Sequence, residues 1–185
     1  NFKNANLKGS NLSNSILNFS NLENANLEST VLINVYFKLS NLTKVNLKNS
    51  DLSQSVFVDA NLKNANLSKS KLINTYFTDA NLDGADLSFA ILNNSNFIFA
   101  NLSNVNLSYA NLEGAILNDT NMEYANLFKA KLKSAKFINA NLSSTMLQDS
   151  DFSYTDLTNA NFYKSSMRYA NFNNAYIENT NFKYA

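Results

Sequence analysis

A large apolar residue stands at every fifth position of the chain, from Phe2 through Leu7, Leu12 and Leu17 to Phe172, Ile177 and Phe182. These 37 positions hold 24 Leu, 10 Phe, 2 Met and 1 Ile. Two residues before each stands a small one, as at Ala5, Ser10, Ala25, Thr30 and Val35. A period of five fits neither the α-helix nor the coiled coil, and a plain strand repeats at two. Within one unit the order is small, polar, large apolar, polar, polar. Read as in, out, in, out, out, it predicts a short extended segment followed by a corner. A chain that turns at every unit coils, and its inward residues stack on those of the next coil to bury a continuous core. A high Asn and Ser content otherwise suits disordered tracts. A disordered chain, however, has no reason to keep the apolar position in every unit.

The number of units per coil is written in the position just before each large apolar residue. Asn or Asp fills it in 24 of 37 units, and the exceptions are not scattered evenly. Every twentieth residue from Asn1 to Asn181 is Asn, ten of ten. Every twentieth from Ile16 to Tyr176 gives Asn or Asp only twice in nine, at Asn96 and Asp156. Phe37, Phe57, Phe77, Phe97 and Phe137 share one column of the same spacing. This super-period means four units per coil and four distinguishable faces.

Stretches such as Ala5-Asn6-Leu7, Ala25-Asn26-Leu27, Ala85-Asp86-Leu87 and Ala125-Asn126-Leu127 resemble the pentapeptide-repeat family, whose pattern is small, Asp/Asn, Leu/Phe and two variable residues. The resemblance covers the whole chain. It implies an all-β fold, a right-handed quadrilateral parallel β-helix with four five-residue faces per coil, in agreement with the super-period. The chain is expected to form one domain over residues 1–185, with about nine coils and a rod ~45 Å long. It begins and ends in phase with the repeat, so native sequence beyond both ends is expected.

The residue types fit such a coil. The large apolar side chains fill the interior, each favouring folding by ~1.5–3 kcal/mol before entropy is counted. Ala, Ser, Thr and Val suit inward corners where a larger group overpacks. Asn and Asp hydrogen-bond nearby backbone and stabilise turns, and the Asn1-to-Asn181 column is expected to stack as an amide ladder. The Ile16 column places β-branched and aromatic residues on the outside of one face, where cross-strand pairing is the main reading.

Composition narrows the chemistry. With 15 basic and 14 acidic residues the net charge is +1, so no strong field attracts nucleic acid. There is no Cys and no His, which removes thiolate and imidazole ligands and the commonest general base. Ser is plentiful but has no His to activate it. The carboxylates Asp83 and Asp86, or Asp149 and Asp151, lie at outward positions of a filled solenoid without a cleft. Asp59, Asp79 and Asp119 form a column broken by Phe99, read as a solvated stripe. Lys129, Lys131, Lys133 and Lys136 spread over different faces. No Gly-rich phosphate loop, signal peptide or membrane-spanning run is present. The chain is expected to be a cytoplasmic bacterial protein, not an enzyme, with no cofactor and no metal, and without nucleic acid or membrane as partner.

Aromatic residues outside the core register are the best candidates for a contact surface. Phe89 and Tyr109 differ by one super-period, so they stack on adjacent coils, with Phe128 close by. Together with Tyr124 they form a candidate protein-binding patch, because exposed aromatic clusters are enriched at interfaces. The C-terminal core positions Phe162, Met167, Phe172, Ile177 and Phe182 are unusually heavy. They are candidates for an end-to-end contact with a second copy or a cap. The functional expectation is an interaction scaffold for an unidentified protein partner. The alternative comes from the resemblance: some family members mimic DNA, bind type II topoisomerases such as gyrase, and protect them from quinolones. That role needs a strongly acidic surface, from which this chain departs.

Overall fold

The computed structural model describes all residues, Asn1–Ala185. It contains no α-helix and no extended strand longer than a single bridging residue. The residue before each large apolar one forms a parallel bridge to its counterpart four units on, from Asn6↔Asn26 to Asn161↔Asn181. The chain therefore returns to the same face every four units, as the Asn column anticipates. Four columns result, beginning at Phe2, Leu7, Leu12 and Leu17.

The backbone hydrogen bonds close in a repeating scheme, illustrated by the unit around Leu22. The Leu22 amide donates to the Asn41 carbonyl one coil on (2.7 Å), and the Asn24 amide donates to Thr43 (3.0 Å). The Asn41 amide donates back to Ser20 (2.9 Å), and the Ala25 amide closes the corner onto Leu22 (2.9 Å). One amide per unit is left over, that of the residue after the large apolar one. The Asn side chain takes it: Glu23 N–H donates to Asn21 Oδ1 at 3.0 Å. The same bond recurs at Thr43–Asn41, Ser53–Asp51 and Ser103–Asn101. Since an unpaired amide is costly wherever water is excluded, the preference for Asn and Asp has a specific cause. On the face that begins at Leu17 this Asn is usually missing. There Asn18 and Asn118 accept from Lys38 and Ile138 on the following coil instead.

Every corner carries a residue in the left-handed region, two positions after the large apolar one. It is Gly at Gly9, Gly84 and Gly114, and a non-glycine at all other units, with φ between 54° and 64°. A turn with positive φ at its third residue normally favours Gly or Asn, yet Phe19, Leu39, Phe89, Phe99 and Tyr109 adopt it here. No Val, Ile or Thr occupies this position anywhere in the chain. Branching at Cβ makes the left-handed conformation prohibitive, whereas unbranched and aromatic side chains tolerate it at a cost.

The interior is one hydrophobic cluster of 46 buried residues, from Leu22 to Phe162. Phe37, Phe57, Phe77 and Phe97 stack with centroids 4.8–5.0 Å apart. The column breaks at Leu117, so Phe137 packs instead against Phe152, tilted by 44°. Towards the C-terminus two stacks face each other across the interior. Phe152 lies on Phe172 and Phe162 on Phe182, and the two pairs meet edge to face. Buried hydroxyls at the small position donate to carbonyls of large residues, as Ser40 does to Leu17 and Thr120 to Leu117 (both 2.7 Å). Only Ser165 Oγ is buried without a partner.

The amide ladder of the Asn1 column forms in segments. Asn41 donates to Asn21, Asn101 to Asn81, and a continuous run links Asn121, Asn141, Asn161 and Asn181. The side-chain oxygens are already engaged by local amides, so ladder bonds are secondary to the turn bonds.

Candidate functional site

Phe89 and Tyr109 occupy the left-handed corner position on adjacent coils, after Leu87 and Leu107. Their rings lie parallel, 4.8 Å apart with 3° between planes. Phe128 meets Tyr109 edge to face at 5.5 Å. Lys69 stands over Phe89 at 6.0 Å, and Lys129 over both Tyr109 (5.9 Å) and Phe128 (5.1 Å). Lys69, Phe89, Tyr109 and Lys129 thus follow one another along a single corner, each one coil beyond the last. Phe89 remains 51 % exposed and Tyr109 45 %. The neighbouring column runs Lys71, Ile91, Asn111, Lys131 and is joined by parallel bridges. Of the four patch residues expected from the sequence, the structure brings three together. Tyr124 is exposed but has no ring partner, because its turn precedes the Leu127 segment while Phe128 and Lys129 follow it.

The C-terminal set divides. Phe162 is fully enclosed beneath Phe182, one coil on, so it lies too deep for the end contact expected of it. Met167, Phe172 and Phe182 are partly buried, and Ile177 is 54 % exposed. The Ile16 column pairs through Tyr36, Val56 and Tyr76 as a bridged ladder, with Ile16, Tyr36 and Tyr76 exposed.

The charged groups are dispersed. Four ion pairs, Lys3–Glu23, Lys8–Glu28, Lys63–Asp83 and Lys71–Asp51, each join neighbouring coils. The Asp83 carboxyl is held below its ordinary value first by the hydrogen bond from Lys63 and then by that from Asn104, with burial opposing them and a weaker hydrogen bond from Ser103 assisting. For Asp51 burial is the largest single influence and raises the value. Hydrogen bonds from the Ser53 hydroxyl and amide and from Lys71 together outweigh it, so the net direction is down. The exposed Tyr176 hydroxyl is raised by its hydrogen bond to Glu178. No three carboxylates converge to hold a metal ion. Asp59 and Asp79 occupy the left-handed corner position on adjacent coils, and Asp119 holds it two coils further on. A surface depression of about 370 Å³ is lined by Asn93, Asn94, Glu113, Gly114, Lys133 and Ser134. A Cβ at Gly114 would meet Asn94 Oδ1 at 2.5 Å, so the Asn94 amide occupies the space beside the glycine. No helix is long and apolar enough to cross a membrane.

The sequence pattern described as pentapeptide repeats matches residues 1–34, 20–59, 60–97, 95–133, 125–162 and 147–183, nearly the whole chain. The chain belongs to the pentapeptide-repeat family. Among solved structures it is similar to HetL, a pentapeptide-repeat protein involved in heterocyst differentiation regulation from the cyanobacterium Nostoc. The identity is 29 %, covering 98 % of this chain and 88 % of that one, with a TM-score of 0.37. It is also similar to QnrB1, a plasmid-mediated fluoroquinolone resistance protein, at 16 % identity, 89 % and 90 % coverage, and a TM-score of 0.43. A pentapeptide-repeat protein of the Arabidopsis thaliana thylakoid lumen matches at 33 % identity over 55 % of this chain and 64 % of that one, with a TM-score of 0.31. No protein of curated function matches the sequence.

Proposed function

We propose that the protein is a non-enzymatic protein-interaction scaffold, a right-handed quadrilateral β-helix of about nine coils that presents one aromatic corner to a protein partner. The observation that carries this reading is the ring cluster Phe89–Tyr109–Phe128. Two of its rings, Phe89 and Tyr109, stand in the left-handed corner position, where Asn or Gly fits with less strain. Core packing does not call for them, since the core beneath is complete with Leu87 and Leu107 fully buried. Aromatic side chains held rigidly at a surface are the usual anchors of protein interfaces.

The test is capture of partners from a bacterial lysate by the wild type and by a Phe89→Ser/Tyr109→Ser/Phe128→Ser variant whose β fold is confirmed by circular dichroism. A protein retained only by the wild type supports the scaffold reading. Identical captures reduce the three rings to ladder packing.

The DNA-mimic reading has less support. A duplex mimic needs an uninterrupted acidic surface, whereas lysines on adjacent coils here neutralise Glu23, Glu28, Asp51 and Asp83. Unchanged gyrase supercoiling, with and without a quinolone, dismisses it.

A further inference from the structure

The geometry points to the occupant of the aromatic corner: an extended acidic peptide segment of the pattern acid–x–apolar–x–acid, lying along the rod from Lys69 to Lys129. This rests on the scaffold reading and specifies its partner. Three observations carry it.

First, the ring faces are already covered. Phe89 has Tyr109 on one face and Lys69 on the other, and Tyr109 has Phe128 and Lys129 on its far side. What remains open is the ring edges, which carry the positive side of the aromatic quadrupole. Nucleic-acid bases bind by stacking on free ring faces, and Phe89 and Tyr109 offer none. An apolar side chain suits the C–H edges, and carboxylates suit the ammonium groups at either end of them.

Second, the flanking cations have no carboxylate partner. The ion pairs of the molecule use Lys3, Lys8, Lys63 and Lys71. Lys69, Lys129 and Lys131 are in none of them. They frame an apolar centre formed by Phe89, Tyr109 and the 43 % exposed Ile91. Asp149 follows Lys129 in the same column and marks where an acidic partner must end.

Third, the spacing matches a strand. Lys69 and Lys129 are three coils apart, about 14 Å at the usual inter-strand distance. Residues i and i+4 of an extended peptide are about 13 Å apart and point to the same side, as does i+2 between them. Two acidic side chains therefore reach the two lysines while the central one packs on the ring edges.

The experiment is a titration of the isotope-labelled whole protein, followed by nuclear magnetic resonance, with the blocked peptide Glu-Ser-Leu-Ser-Glu. The expected result is saturable shifts around Phe89 and Tyr109, with affinity falling as salt is added. The Gln-Ser-Leu-Ser-Gln peptide should bind about tenfold more weakly, two exposed ion pairs being lost. A Lys69→Glu/Lys129→Glu variant should lose the acidic peptide and gain the Lys-Ser-Leu-Ser-Lys peptide. Equal binding of the Gln peptide, no saturable shift, or tighter binding of oligothymidylate or of phosphatidylserine–phosphatidylcholine vesicles at this corner overturns the inference. If the lysate capture depends on the three rings but the peptide fails, only this inference falls. If the capture does not depend on them, the scaffold reading falls as well.

Discussion

Phe57 lies face to face on Phe77, ring centroids 5.0 Å apart and planes within 9°. The two sit on adjacent coils and are fully buried, with Phe37 and Phe97 continuing the stack on either side. Truncating a ring inside this stack leaves a cavity that the rigid coils above and below cannot close. Phe57→Ala is expected to destabilise the protein by about 3–5 kcal/mol. Phe57→Leu, which installs the commonest residue of this position, should cost less. Chemical denaturation followed by circular dichroism measures both.

Asn101 satisfies the Ser103 amide at 3.1 Å and donates to Asn81 at 3.3 Å. Its Oδ1 also accepts from the Ser103 hydroxyl at 2.8 Å, so Asn101→Ala removes three bonds and is expected to cost about 1–2 kcal/mol. Asn101→Asp keeps the acceptor for the amide and loses only the donation. It should therefore be the milder change in the same denaturation experiment. Equal costs would mean that the ladder bond outweighs the turn bond.

Phe99 holds φ at 60°. Phe99→Asn places a residue suited to the left-handed region there and is expected to leave stability unchanged or raise it. Phe99→Ile places a β-branched side chain there and should cost about 1–3 kcal/mol. Thermal unfolding of the two variants side by side tests whether conformation or ring packing governs this corner.

Ser165 Oγ is enclosed without a hydrogen-bond partner, while Ala fills the equivalent position on other coils of the same column, at Ala85 and Ala125 among others. Ser165→Ala removes an unpaired polar atom and is expected to stabilise by about 1 kcal/mol. Ser40→Ala, which removes a hydroxyl bonded to Leu17, should destabilise. Opposite signs in the shift of Tm are the expected outcome.

Asp51 and Asp83 both have carboxyl values below the ordinary one. For an acid whose folded value is depressed, the contribution to stability is complete above its unfolded value, about 3.9, and is lost as the pH falls through the folded value. Stability should hold above about pH 5 and decline below about pH 4. Asp51→Asn/Asp83→Asn should flatten that decline. Tm measured from neutral to acid pH for both proteins checks it, and parallel curves would remove these two groups as its cause.

The aromatic corner was partly legible in the sequence. Phe89 and Tyr109 differ by one coil, so their stacking follows from the super-period alone. Tyr124 lies 15 residues from Tyr109, one unit short of a coil, so the same super-period sets it on a different corner. The edge-to-face meeting of Phe128 with Tyr109 is what the super-period does not give. The left-handed corners also left a trace that the in-and-out pattern does not express. Ile33, Val58, Thr78 and Ile98 occur one position after the large apolar residue, yet no β-branched residue occurs two positions after it. A missing residue class is a weaker signal than a present one, since it emerges only when all units are aligned.

The sequence by itself determined the period, the four columns, the contents of the core and the membership of the Phe37–Phe97 stack. A repeat in which every unit contacts only its neighbours makes tertiary position a linear function of residue number. The tertiary structure decided how backbone donors are shared between Asn side chains and adjacent coils. It also decided which corner aromatics meet, and which lysines remain unpaired beside them. Those outcomes depend on side-chain direction at the corners, where φ reverses sign and neighbours in sequence cease to be neighbours in space.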